Sequence, residues 1–254
     1  MDEGVARLAR ARLRVEGLRR ALERRDGAPV RPVETHISWV LLTPTHAYKL
    51  KKPVHLPFVD FTTLAARRRF CEEEVRLNGR LAPSLYLDVV EIRGSDEAPV
   101  LGGDGALLDV AVRMRRFDDG ALWSERLAAG TLVAADVDRL AARLAAFHRD
   151  AAVADAASPY AGAPIQARIV GGLVDAIDAQ LRGRGEAAPE GWPALRRWLD
   201  GELRRLAPTF EARRAAGRVR ECHGDLHLAN LVQLADGPTA FDGIEFDPEL
   251  RWID

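Results

Sequence analysis

Residues 218–246 read RVRECHGDLHLANLVQLADGPTAFDGIEF. Its β-favouring runs at Val219–Cys222, Leu231–Leu234 and Thr239–Phe241 predict three short strands. Ala235-Asp236-Gly237-Pro238 supplies the turn between the second and the third. The loop His223-Gly224-Asp225-Leu226-His227-Leu228-Ala229-Asn230 therefore leads into a hairpin, and Asp242-Gly243 leaves it. An Asp and an Asn five positions apart on one loop can face a cleft from its two ends, and the hairpin returns Asp242 beside them. These residue types suit phosphoryl transfer. One carboxylate orients the attacking hydroxyl and takes its proton, while a carboxylate and an amide carbonyl are hard oxygen donors of the kind Mg2+ prefers.

Such chemistry also needs a cation on the phosphates, and the composition points to where it lies. Of 37 basic residues only three are lysine, Lys49, Lys51 and Lys52, and the other 34 are arginine. A chain that uses arginine almost everywhere has kept a compact ammonium at one place, where arginine is a poor substitute; a solvated, lysine-protected edge strand is the competing explanation. Around the lysines, Ile37–Leu42 is an apolar run, Thr43-Pro44-Thr45-His46 is turn chemistry, and Ala47–Lys51 alternates strictly. This predicts a hairpin with Tyr48 and Leu50 on one face and Ala47, Lys49 and Lys51 on the other.

Outward from these two regions, Val5, Leu8, Val15, Leu18 and Leu22 predict an amphipathic helix over 5–25, with Arg7, Arg10, Arg14, Arg24 and Arg25 on a solvated face. A second helix is expected over Thr63–Leu81, with a stripe of Phe70, Leu77 and Leu81, Glu73 or Glu74 on or beside it, and Pro83 stopping it. Strands follow at Tyr86–Ile92 and Leu107–Met114, joined by the loop GSDEAPVLGGDG. The composition then turns helical, with helices over Val133–Arg149, Ile165–Leu181 and Pro193–Arg214. The last carries an apolar stripe of Leu195, Trp198, Leu199, Leu203, Leu206 and Phe210.

HGDLHLAN followed by FDG resembles the aminoglycoside phosphotransferase family, within the protein-kinase-like superfamily: the H-x-D-x-x-x-x-N loop and the D-x-G motif match in type, order and spacing. The segments ETHISW and YKLKKPVHLPFVDF resemble a bacterial subfamily in which this domain is usually followed by a P-loop ATPase-like domain. The resemblance covers most of the chain. It implies an α+β, two-lobed protein-kinase-like fold: a small antiparallel β lobe over 1–115, and over 116–254 a mainly helical large lobe, incomplete at the C-terminus. The implied activity is ATP- and Mg2+-dependent transfer of the γ-phosphate to a hydroxyl of a small molecule. By the same resemblance Asp225 is the general base, Asn230 and Asp242 are the Mg2+ ligands, and Lys49 is the phosphate clamp with Glu73 or Glu74 as its partner. Lys51 shares the face of Lys49 and stays a candidate clamp, although Ala47, matching the small adenine-facing residue of an A-x-K pattern, favours Lys49. The strand Leu107–Phe117 leads to the hinge, so Arg115 and Phe117 border the adenine. His223 supports the loop backbone, His227 touches substrate or packs the loop, and Glu245 assists metal or substrate. Two features depart from the family pattern. No glycine-rich loop precedes Lys49, so Glu34–Ser38 would cover the phosphates; and the chain ends twelve residues past Asp242, which implies a truncated large lobe.

Other classes fit less well. A net charge of −1 from 37 basic and 38 acidic residues excludes a chain-wide polyanion binder, so no nucleic-acid partner is expected. Two cysteines are too few for a disulfide framework, and no apolar run is long enough to span a membrane, which together imply a cytoplasmic protein without a membrane partner. The alternation His223, Asp225, His227 resembles one block of metallophosphoesterases, but the further His/Asp blocks such enzymes need are missing among six histidines. A catalytically silent, kinase-like nucleotide-binding or scaffold module is the remaining alternative.

Overall fold

The computed structural model describes residues 3–155 and 157–254. The chain is α+β. In chain order it runs through helix α1 (Glu3–Asp26), strands β1 (Arg31–Glu34), β2 (Ser38–Leu42), β3 (His46–Lys51), β4 (His55–Leu56) and β5 (Val59–Asp60), and helix α2 (Leu64–Asn78). Then come β6 (Tyr86–Gly94), β7 (Pro99–Leu101), β8 (Leu107–Arg115), α3 (Trp123–Ala128), α4 (Ala134–Asp150), α5 (Ala163–Arg184) and α6 (Trp192–Ala215). β9 (Arg220–Glu221), β10 (Leu231–Leu234), β11 (Gly237–Ala240), α7 (Pro248–Arg251) and β12 (Trp252–Ile253) complete it. Two compact units result: Met1–Phe147 with Asp225–Asp247, and His148–Gly224 with Pro248–Asp254. The division expected after residue 115 coincides with none of these boundaries: α3, most of α4 and the hairpin β10–β11 fall in the first unit.

The first unit is built on a six-stranded antiparallel sheet in the order β1-β2-β3-β8-β6-β7. Its two faces follow from strand alternation. On one, Trp39, Leu41, Tyr48, Leu50, Ile92 and Ala111 bury against Val15, Leu18 and Leu22 of α1. On the other, Ala47, Tyr86, Val110, Val112 and Met114 bury with Cys71 of α2. Lys49 and Lys51 lie on this second face, as the alternation predicts. A third cluster joins Leu81, Trp123, Leu140, Leu231 and Ala240, seating the hairpin β10–β11 on α3 and α4.

Several sequence expectations need correction. The loop between β6 and β8 contains an edge strand, β7. α2 ends at Asn78 rather than at Leu81, with Gly79 as its cap, so Pro83 is not what stops it. Its buried stripe is Arg67, Cys71, Glu74, Leu77 and Asn78, and Phe70 is only half-buried, on the edge of the Phe61 ring. Arg14 is not on a solvated face: it donates to Asp96 at 2.6 Å and to Asp109 at 3.0 Å. The turn in the hairpin is Ala235-Asp236 alone, since Gly237 and Pro238 already pair with Leu234 and Gln233.

In the second unit α5 and α6 form a helical hairpin, fixed by Trp192 Nε1 donating to Asp178 at 2.7 Å. Trp252 and Ile253 of β12 pair with Glu221 and Arg220 of β9. The stripe expected to bury α6 does not: none of its residues is buried, and Leu195 and Trp198 are exposed. No described helix is long and apolar enough to cross a membrane.

Candidate functional site

Of the charged residues singled out in the sequence, Lys49, Lys51, Glu74, Asp242 and Glu245 converge within the first unit, on the α2 face of the sheet. Lys49 Nζ donates to Glu74 Oε1 at 2.7 Å and also to the Asp242 carboxylate. Lys51 Nζ donates to Glu74 Oε2 at 2.7 Å and to Glu245 Oε1 at 2.5 Å. Two ammonium groups thus face three carboxylates in a nearly dry site: the side chains of Glu74, Lys51 and Glu245 are 0%, 1% and 5% exposed. At low local dielectric such attractions are strong. Burial alone would lower the Lys49 pKa, and the carboxylates of Asp242, Glu74 and Glu245 outweigh it, holding the ammonium well above the usual lysine range. The same balance holds Lys51 charged. Burial pushes the Glu245 carboxyl up, and the Lys51 ammonium pulls against it.

This geometry separates the alternatives that the sequence left open. Glu74 is the partner of both lysines; Glu73 instead takes Arg76, one turn along the helix surface, at 2.7 Å. Lys51 is enclosed by two carboxylates and the Phe61 ring, 5.1 Å from its ammonium, whereas Lys49 reaches Asp242, whose side chain is 42% exposed. Lys49 is thus the more accessible of the two, 11% against 1% exposed. Lys52 serves elsewhere. It donates to Thr35 O at 2.5 Å and pairs with Glu34 at 2.7 Å, fastening the tight Glu34–Ser38 turn between β1 and β2.

Asp242 stands at the mouth of the hairpin. Phe241 N donates to Asn230 O at 3.0 Å, which carries the β10–β11 ladder one step further and brings Asp242 beside the loop end. Its backbone has φ +61°, and it and Ala161 are the two described non-glycine residues at positive φ. An Asp tolerates this region better than most residues, and such conformations gather at functional sites. Two groups that the sequence reading did not single out hold it: Tyr86 Oη accepts from Asp242 N at 3.1 Å, and Asn78 Oδ1 accepts from Gly243 N at 2.8 Å.

Asn230 is buried in a 3-10 turn, Leu228–Asn230. Its Nδ2 donates to Asp225 O and to Asp225 Oδ2, each at 3.0 Å. Both amide hydrogens are thereby spent on Asp225, which leaves the carbonyl Oδ1 as the group's acceptor. Asn230 Oδ1 and the Asp242 carboxylate are oxygen donors of the type a hard divalent cation takes. The Asp225 carboxylate is half-exposed, with His227 Nε2 at 3.4 Å. The other ring nitrogen of His227 caps the 3-10 turn, accepting from Ala229 N at 3.2 Å. Ala47 is buried among Val112, Met114 and Tyr86, Phe117 meets Phe241 edge to face at 5.5 Å, and Arg115 is exposed with its N–H bound to Leu85 O.

His223 belongs to the second unit and is buried there. Beside it, Gly224 has φ +87°, and a Cβ would lie 2.9 Å from Leu250 O, so any side chain at this position is strained. Among the described residues no group of three or more His, Cys, Asp and Glu side chains is placed to hold a metal ion.

No family model and no solved structure matches the chain. It is similar to three proteins described as uncharacterized, one from Mycobacterium bovis and two from strains of Mycobacterium tuberculosis. Each is 33% identical over 225 residues, covering 87% of this chain and 42% of the relative. The chain thus spans less than half the length of the curated relatives it matches.

Proposed function

We propose that the chain is an ATP- and Mg2+-dependent phosphotransferase of the aminoglycoside phosphotransferase kind, with a two-lobed protein-kinase-like fold and a small-molecule hydroxyl as acceptor. One observation carries this reading: a strand lysine, a helix glutamate and the aspartate leaving the hairpin, Lys49, Glu74 and Asp242, join in one ion-paired cluster beside the Asp225–Asn230 loop.

The residues divide the work as follows. Asn230 and Asp242 would hold Mg2+, which neutralises charge on the β- and γ-phosphates. Glu74 keeps the Lys49 ammonium extended toward the phosphates. Ala47 and the half-buried Phe117 border the adenine, with main-chain atoms near Arg115 at the hinge. Asp225, its carboxylate oriented by Asn230, aligns the acceptor hydroxyl and receives its proton. The acceptor oxygen–phosphorus bond forms, the bond from the γ-phosphorus to the bridging oxygen breaks, and ADP leaves. Positioning and charge neutralisation supply the rate, with no covalent intermediate. The greater length of the mycobacterial relatives leaves room for the companion P-loop ATPase-like domain.

The test is transfer of labelled γ-phosphate from ATP to a panel of small hydroxyl compounds, by the wild-type chain and its Asp225→Ala and Asp242→Ala variants. Transfer that needs Mg2+ and is abolished in both variants supports the reading. Transfer unchanged in either variant contradicts it, and Mg2+-ATP binding without transfer favours the silent scaffold.

A further inference from the structure

We propose that Lys51 and Glu245 are a positioning pair for the Lys49 ammonium, an inference that rests on the phosphotransferase reading. The Glu74 carboxylate is divided between two cations, Oε1 to Lys49 and Oε2 to Lys51, each at 2.7 Å. The last torsion of a glutamate is broad and weakly restrained. With Lys49 as its only partner, the carboxylate could turn and carry the ammonium with it. Lys51 removes that freedom by holding the second oxygen, and Lys51 is itself held by Glu245 at 2.5 Å and by the Phe61 ring.

The connection then closes on itself. Glu245 lies three residues beyond Asp242, whose carboxylate takes Lys49. The backbone between them is tied down, with Gly243 N bound to Asn78 of α2 and Asp242 N bound to Tyr86 of β6. Lys49, Glu74, Lys51, Glu245 and Asp242 thus form one ring of ion pairs and backbone linking β3, α2 and the segment leaving the hairpin. Stability alone does not call for the Lys51–Glu245 pair, since well-packed apolar side chains replace a buried ion pair at little or no loss. What apolar replacements would not do is orient Glu74.

The probe is an acyl-phosphate derivative of ATP. A lysine amine beside the phosphates attacks the acyl carbonyl, an amide forms, a proton goes to solvent and ATP leaves. Peptide mass spectrometry gives the labelling rate at saturation separately from the concentration for half-saturation. In the wild-type chain, label is expected on Lys49, suppressed by excess Mg2+-ATP, with none on Lys51. The double variant Lys51→Met/Glu245→Leu removes both charges together and is expected to keep a cooperative melt. Its half-saturating concentration should stay within about threefold of wild type while the saturated Lys49 rate falls about tenfold or more. Glu245→Gln, which keeps the shape and loses the charge, should shift the rate in the same direction. Saturated rates within twofold of wild type in both variants overturn the positioning pair and leave the phosphotransferase reading intact. A wild-type chain with no protectable label on Lys49 overturns both.

Discussion

Lys49 and Asp242 are an ion pair although 193 positions separate them in the chain. The lysine lies on the central region of the sheet and the aspartate at the mouth of a distant hairpin, so the pair exists only when the first unit is assembled. It also divides labour between neighbouring lysines. Lys49 is bound on one side to a half-exposed carboxylate; Lys51 is enclosed between two buried ones.

The two lysines should therefore contribute unequally to stability. Lys51→Met removes the ammonium that two buried carboxylates share and should cost about 3–5 kcal/mol, the usual penalty for removing one partner of a buried pair. Lys49→Met leaves Glu74 with Lys51 and opens Asp242 to solvent, so its cost should be clearly smaller. Urea denaturation measures both. A larger loss for Lys49→Met would contradict this division.

Glu73 and Glu74 should differ just as sharply. Glu74→Ala removes the buried carboxylate that two ammonium groups share, leaving each with a single partner, and should destabilise by about 3–5 kcal/mol. Glu73→Ala deletes a surface pair with Arg76 and should stay within about 0.5 kcal/mol of wild type. Equal effects would mean that α2 presents a different face to the sheet.

This contrast marks the limit of what the sequence reveals. The alternation in β3 placed Lys49 and Lys51 on one face correctly, and the Leu231–Leu234 strand lies where its β-favouring residues put it. Hydrophobic periodicity could not choose between Glu73 and Glu74, because the buried stripe of α2 is largely polar, running through Arg67, Glu74 and Asn78. Those residues are buried because of their partners, Asp109, the two lysines and Gly243 N. A pattern that counts apolar side chains does not register such partners. Tyr86 and Asn78 escaped for the same reason: they act on the site through hydrogen bonds to backbone. The short helix α3 and the edge strand β7 are too brief for periodicity to show, and α6 carries an apolar stripe of which no residue is fully buried and Leu195 and Trp198 are exposed.

Gly224→Ala should be destabilising by about 1–3 kcal/mol, because a Cβ there combines positive φ with a 2.9 Å approach to a carbonyl oxygen. Gly185→Ala makes a useful control, since its φ is also positive but its Cβ would meet open space. Thermal unfolding should rank Gly224→Ala as the more damaging; the reverse order would be inconsistent with the close approach to Leu250.

Cys71 should be inert in the native protein. Burial pushes its thiol up to about 12, so almost no thiolate is present at pH 8. Iodoacetamide followed by peptide mass spectrometry should find Cys71 unmodified after native treatment and fully modified in urea. Rapid native labelling would show that the α2–sheet interface opens readily.

The most direct test of the phosphotransferase reading is thermal unfolding of the chain with and without Mg2+-ATP, beside Asp242→Asn. A ligand that binds only the native state at about 100 times its Kd adds about 2.7 kcal/mol, which for a unit of this size raises Tm by about 5–10 °C. The expected result is a rise of that order, dependent on Mg2+ and lost in Asp242→Asn, which retains the wild-type melt without ligand. No rise in a cooperatively melting wild-type chain, or an equal rise in Asp242→Asn, would contradict the assignment of this cluster as a Mg2+-nucleotide site.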